Sequence, residues 1–257
     1  MSKNIALLTD FGDFDNYVGV LKGVILSINP DANIIDITHK VEPQNILQAS
    51  WVLKTSYKYY PKGTIFLSIV DPGVGSNRKR LLVKTSEYYF IAPDNGLLGY
   101  IFEDIEKIIN IENSRFFLDE ISSTFHGRDI FAPVAAYLSQ NKYDLEEFGS
   151  NLNINEVKKL SIITPQKVNS QIVGQIVNID HFGNIITNIP ASFLSDSTKL
   201  YLKELHINIY KNYTEAAKGE LLAIAGSSDT LEISQNCGSA QNTLSLKIGD
   251  QIKIELE

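Results

Sequence analysis

The chain has 257 residues, 44% hydrophobic and 21% charged, the make-up of an ordinary globular protein long enough to bury a core without staples. Its 23 Lys and Arg against 30 Asp and Glu leave a formal net charge of −7, which argues against a general nucleic-acid binder. The single cysteine, Cys237, excludes an internal disulfide framework and any multi-cysteine metal site. No stretch approaches the ~18 apolar residues of a membrane helix, and the apolar run in residues 1–10 is too short for a signal peptide. The expectation is a cytoplasmic protein that engages neither membrane nor nucleic acid.

In chain order, residues 5–8 read as a strand ending in the turn Asp10-Phe11-Gly12-Asp13. A helical pattern follows over 17–28 and a second short strand over 34–37. After Pro43, Ile46, Ala49, Leu53 and Tyr57 recur at helical spacing, and Trp51 within this pattern reads as core or interface. Residues 64–70 are rich in β-branched side chains and form the strongest predicted strand, ending at Asp71-Pro72-Gly73. Further strands are read at 81–83 and 88–91, the latter ending at Pro93-Asp94-Asn95-Gly96. Phe131, Val134, Ala135 and Leu138 follow an i, i+3, i+4, i+7 pattern. Strands alternating with helices predict right-handed β-α-β units and an α/β domain with a largely parallel sheet. Residues 141–168 carry no sustained apolar period and read as a connection. Beyond them, runs at 172–179, 185–189, 200–202, 206–210, 221–224, 231–234 and 251–256 are separated by turn residues, an all-β pattern. The boundary is placed near 165, giving an α/β domain over 1–165 and an all-β domain over 166–257.

Ligands of open α/β sheets bind beyond the carboxyl ends of the strands, and three polar clusters fall there: residues 9–15, 71–78 and 92–96. Gly73-Val74-Gly75 follows a strand but lacks a third glycine and a following helix, so no dinucleotide loop is expected, and no Gly-Lys-Ser/Thr loop exists. A turn stabilised by Asp71 is the plainer reading of that cluster. His126, within Thr124-Phe125-His126-Gly127-Arg128-Asp129, lies at a predicted helix start. There the helix dipole disfavours its charged form and leaves a neutral imidazole able to relay a proton. The alternative is a histidine that only caps or packs. Asp129 reads as a first-turn residue and Arg128 as an ion-pair partner for a sheet-end carboxylate. Asp10, Asp13, Asp15, Asp71 and His126 are potential metal ligands, but their spacing matches no ligand motif and no metal is expected. His39, His181 and His206 read as isolated. In the second half, Asp180-His181-Phe182-Gly183-Asn184 follows a strand, and Gly226-Ser227-Ser228-Asp229 leads to Glu232, Gln235 and Asn236. A ring face, an amide and a carboxylate together can hold a purine; taken singly, each fits β-turn chemistry.

Six motifs in order carry a resemblance: Thr-Asp-Phe-Gly at 9–12, Val-Asp-Pro-Gly-Val-Gly at 70–75 with Arg78, Ala-Pro-Asp-Asn-Gly at 92–96, Phe-His-Gly-Arg-Asp at 125–129, Phe-Gly-Asn at 182–184, and Gly-Ser-Ser at 226–228 with Leu-Glu-Ile at 231–233. Over nearly its whole length the chain resembles the S-adenosylmethionine hydroxide adenosyltransferases, adenosine-forming S-adenosylmethionine hydrolases related to fluorinase and chlorinase. The resemblance implies an α/β domain, a barrel-like second domain and a homotrimer whose sites lie between the first domain of one subunit and the second domain of its neighbour. It implies no cofactor. It further implies that Asp71, Arg78 and His126 surround a water and that Asp10 holds the ribose hydroxyls. Asp180 would lie near the methionine ammonium, Phe182 and Asn184 at adenine, Ser227 and Glu232 at the amino acid portion, and Gln235 and Asn236 where adenine meets the backbone, with Tyr213 as a stacking candidate. The halogenating relatives carry an aromatic residue in place of Asp71, a serine in place of Gly127 and arginines in place of Ser228 and Gln235; the four departures point away from halogenation. The implied function is hydrolysis of S-adenosyl-L-methionine to adenosine and L-methionine by water attack at C5′. The alternatives are a non-catalytic sensor of S-adenosylmethionine or adenosine, and a 5′-halogenase.

Overall fold

A computed structural model describes residues 3–101, 104–194 and 199–257. They divide into two compact units, Met1–Leu160 and Ser161–Glu257, against an expected divide at 165. Among the described residues no helix is long and apolar enough to cross a membrane.

The first unit is built on seven strands: β1 (Asn4–Thr9), β2 (Asn33–Thr38), β3 (Ile65–Ile69), β4 (Arg80–Thr85), β5 (Tyr89–Pro93), β6 (Ile105–Ile111) and β7 (Gly149–Asn151). Their order is β2-β1-β3-β5-β4-β6-β7. The run β2-β1-β3-β5 is parallel, and β4, β6 and β7 extend it antiparallel. Alternation dictates the layers, because successive side chains of a strand face opposite sides of the sheet. Ile5 and Leu7 of β1 and Ile65, Leu67 and Ile69 of β3 pack with the helices α1 (Tyr17–Ile28) and α3 (Ala132–Ser139). Ala6, Leu8, Phe66 and Val70 point the other way, toward Ala49 and Leu53 of α2 (Ile46–Ser56). A sheet covered on both faces explains why these strands read as continuous apolar runs. β1 sends its chain toward β2 on one side while β3 lies on the other. The crevice between the carboxyl ends of β1 and β3 is therefore the topological switch point, where doubly covered sheets bind ligands.

The helical pattern at 131–138 begins with a widened turn over Gly127–Phe131, in which the Ala132 N–H reaches back to the Gly127 carbonyl. Pro133 explains it: lacking an N–H, it cannot bond the Asp129 carbonyl one α-turn earlier. That carbonyl accepts instead from the Leu118 N–H at 2.9 Å. Widened turns of this kind recur at functional sites, and His126 stands at the start of this one.

In the second unit, β8 (Gln166–Val168), β9 (Gln171–Ile179), β10 (Ile185–Pro190), β11 (Lys199–Leu202), β12 (Leu205–Ile209), β13 (Leu221–Ala225), β14 (Thr230–Gln235) and β15 (Gln251–Leu256) form one sheet. The ring β10-β14-β13-β12-β11-β15-β9 closes through pairing of β9 with β10, giving a seven-stranded barrel with β8 added outside β9. Inward-facing Ile172, Ile176, Ile185, Leu200, Ile233 and Ile252 fill its interior. A short helix, α4 (Ala240–Leu244), was not foreseen; Ser239 caps it by accepting from the Asn242 N–H.

Candidate active site

The three loops at the switch-point end of the sheet meet different fates. Asp10 follows β1 and Asp71 follows β3, and both line a cavity of about 310 Å³ with Phe11, Gln44, Phe125 and His126 among its walls. The third cluster does not reach it. Asp94 is buried and accepts from the Lys158 N–H at 2.8 Å. Asn95 donates to the Val70 carbonyl at 2.8 Å and so ties down the residue before Asp71.

Asp71, Arg78 and His126 are in contact. The Arg78 Nε donates to Asp71 Oδ1 at 2.6 Å, and Nη2 donates to Asp71 Oδ2, a bidentate fork. The same Nη2 lies 3.2 Å from His126 Nδ1. The Asp71 and Arg78 side chains are only 6% and 3% exposed. Arg78 stands behind Asp71 rather than on the cavity wall, with its guanidinium over the Phe131 ring. The loop between Asp71 and Arg78 can lie this close to the segment before His126 because Gly75 has φ +79°, and a Cβ there would collide with the Ser123 carbonyl.

An arginine can only donate, so His126 Nδ1 is the acceptor of that contact, and a neutral ring carries its proton on Nε2. Burial pushes the His126 pKa below its ordinary value, and the positive charges of Arg78 and Arg80 push it further. Helix position alone predicted the direction; desolvation and two arginines supply the cause. Arg128 does not pair with a sheet-end carboxylate. It forks onto its neighbour Asp129, which also accepts from the Ser122 N–H at 2.8 Å.

Asp10 is held by the Gln44 N–H, which donates to Oδ2 at 2.8 Å. Burial raises the Asp10 pKa above the ordinary carboxylate value despite that bond. Gln44 has φ +67°, an unusual conformation for a non-glycine residue. Sequence reading missed Gln44: it contributes a backbone N–H, which no side-chain pattern advertises. Among the described residues, no group of three or more His, Cys, Asp or Glu side chains is arranged to hold a metal ion.

The barrel carries its own cavity of about 550 Å³, lined by Asp180, Phe182, Asn184, Tyr213, Gln235 and Asn236, with Cys237 and Gly238 on its wall. Asp180 braces the turn beneath Phe182: Oδ1 accepts from the Phe182 and Asn184 N–H groups at 2.9 and 3.0 Å, and Oδ2 accepts from Asn184 Nδ2 at 2.9 Å. The turn leaves the Phe182 side chain outside, 73% exposed. Gly183, at φ +82°, admits Ser239 where a side chain would stand. Tyr213 donates to buried Glu232 at 2.5 Å, and Ser234 donates to the same oxygen at 2.7 Å. Burial and the Glu232 hydrogen bond raise the Tyr213 pKa well above its ordinary value. Glu232 thus sits beneath the cavity wall, while Ser227 is exposed on the Gly226–Asp229 turn and does not line it. Gln235 Nε2 and Asn236 Nδ2 are committed to the Gly219 and Ala216 carbonyls.

A bidentate carboxylate–guanidinium pair with an imidazole at strand ends, and a ring-sized pocket on a separate barrel, are the equipment of an enzyme acting on a small molecule. The chain belongs to the SAM hydroxide adenosyltransferase family: the N-terminal domain model of that family matches residues 5–149 and its C-terminal domain model residues 174–253. It is 38% identical to an (R)-S-adenosyl-L-methionine hydrolase of Methanocaldococcus jannaschii, over 97% of this chain and 95% of that protein. It is 24% identical to a fluorinase of Nocardia brasiliensis over 98% of this chain and 96% of that one. A crystal structure of an uncharacterized conserved protein from Thermotoga maritima superposes with a TM-score of 0.90 at 42% identity, covering 97% of this chain and 99% of the other.

Proposed function

We propose that the protein hydrolyses S-adenosyl-L-methionine to adenosine and L-methionine. The observation that carries this reading is the hydrogen-bonded cluster of Asp71, Arg78 and His126 beside Asp10 at the switch point. Water attacks C5′ opposite sulfur; the C5′–S electron pair leaves with methionine, and the water proton passes to Asp71. The leaving group is a neutral thioether that needs neither protonation nor a Lewis acid, so the reaction draws on no metal or cofactor. His126, with its proton on Nε2, is a donor toward the cavity and orients the water rather than deprotonating it. Arg78 acts through its two partners, fixing the carboxylate fork and the imidazole tautomer. Fixed geometry of this kind is itself a large part of such a rate enhancement.

Asp10 accepts from the ribose hydroxyls. On the barrel, Phe182 and Tyr213 offer ring faces to adenine. Asn184 donates one Nδ2 hydrogen to Asp180, which fixes the side chain and lets its Oδ1 accept from the adenine amine. The two half-sites belong to a homotrimer in which the α/β unit of one subunit faces the barrel of its neighbour, acting on a cytoplasmic small molecule. The curated hydrolase relatives are named for the (R) configuration, so both sulfonium epimers belong in the assay. Chromatography should show adenosine and methionine in equal amounts. Asp71→Ala, Arg78→Ala and His126→Ala should each lower turnover ~10²-fold or more. Binding without product would make the protein a sensor, a 5′-halogenated nucleoside formed with added halide would make it a halogenase, and undiminished turnover in all three variants would remove the assigned roles.

A further inference from the structure

Segment 39–44 grips the loop carrying Asp10 at three points. Gln44 N–H donates to the Asp10 carboxylate at 2.8 Å, Gly12 N–H donates to the His39 carbonyl at 2.7 Å, and the His39 ring meets Thr9, with Nδ1 2.9 Å from Oγ1. On its far side, His39 Nε2 lies 3.0 Å from Asp36 Oδ1, and Lys22 holds the other Asp36 oxygen at 2.6 Å. The His39–Asp36 contact is not aligned as a hydrogen bond, but it puts a carboxylate beside Nε2 and so favours the ring proton there, leaving Nδ1 to accept from the Thr9 hydroxyl. The Thr9 oxygen in turn accepts from the Phe11 N–H at 3.2 Å. Carboxylate, imidazole and hydroxyl stand in the order of a nucleophilic triad. Thr9, however, is completely buried and no substrate can reach it.

We propose that His39 is a positioning residue for the nucleoside: through Nδ1 it orients the Thr9 hydroxyl, which sets the Thr9–Gly12 turn and thereby the direction of the Asp10 carboxylate. The inference rests on the reading of Asp10 as the ribose-binding group. It separates the two ring nitrogens, because asparagine at 39 places an amide oxygen where Nδ1 stands, whereas glutamine reaches toward Asp36 instead.

The test is adenosine affinity by titration calorimetry on the full-length protein, alongside KM and kcat for S-adenosylmethionine. His39→Ala and His39→Gln should weaken adenosine binding about tenfold, and His39→Asn should stay within about threefold of wild type, the scale of one hydrogen bond lost or kept. The kcat of all three should change by less than about threefold, since the loss is in positioning of the bound nucleoside. Thr9→Val should behave as His39→Ala and Thr9→Ser should restore affinity; this pair decides the matter if a His39 variant fails to fold. Equal weakening by Asn, Gln and Ala, unchanged affinity in all, or a loss confined to kcat would overturn the proposal. A wild-type protein that binds adenosine but forms none would instead overturn the hydrolase reading and leave this one standing.

Discussion

His126 shows how much one side chain draws from its neighbours. Protonating Nδ1 would turn an acceptor into a donor facing the Arg78 guanidinium 3.2 Å away, which agrees with the depressed pKa. In the proposed mechanism the neutral ring is the working form, so kcat should rise with pH through the His126 pKa, with the midpoint of that rise below 6.5, the ordinary histidine value. The kcat profile is the right readout, because under the proposed ribose-binding role of Asp10 its raised pKa acts on binding and enters KM. Arg80→Met removes one of the positive charges that depress His126 and should move the acid limb upward. A limb that stays fixed would mean another group governs it.

The strand ends were legible because polar clusters followed apolar runs at the places where α/β sheets bind ligands. Which clusters converge was not. Residues 92–96 look as reactive as 71–78, yet Asp94 turns inward to bond Lys158. The sequence placed His126 at a helix start, but the widened turn depends on Pro133 releasing a carbonyl that Leu118, eleven residues upstream of Asp129, takes up. Strand β6 escaped notice because its charged Glu106 and Lys107 interrupt the alternation; both are spent on ion pairs, with Lys84 and Glu146. At this scale Gly75 is decisive. Gly75→Ala combines a left-handed backbone, which costs about 1–3 kcal/mol in a non-glycine residue, with collision against Ser123. Its melting temperature and its turnover should both fall. A variant that melts as wild type would show that the loop carrying Asp71 has another way to pack.

For the whole molecule, the change from alternating strands and helices to short strands alone announced two units of different class. Closure of the barrel was not readable, because it depends on β9 pairing with both β15 and β10. The proposed sharing of each site between subunits has a quantitative signature. Asp71→Ala and Asn184→Ala trimers, unfolded together and refolded at equal amounts, should recover about a quarter of wild-type activity, since closed cyclic symmetry pairs an intact α/β unit with an intact barrel in that fraction of sites. Sites confined to single chains would give no recovery.

Cys237 is the one thiol of the chain, it is exposed, and it stands on the wall of the pocket that also holds Phe182 and Asn184. A maleimide fluorophore will therefore attach at a single position without any engineered background. Under the proposed reading of this pocket, a nucleoside entering it would change that dye's surroundings, so the native protein offers a place for an optical reporter of occupancy, usable even in variants that no longer turn over.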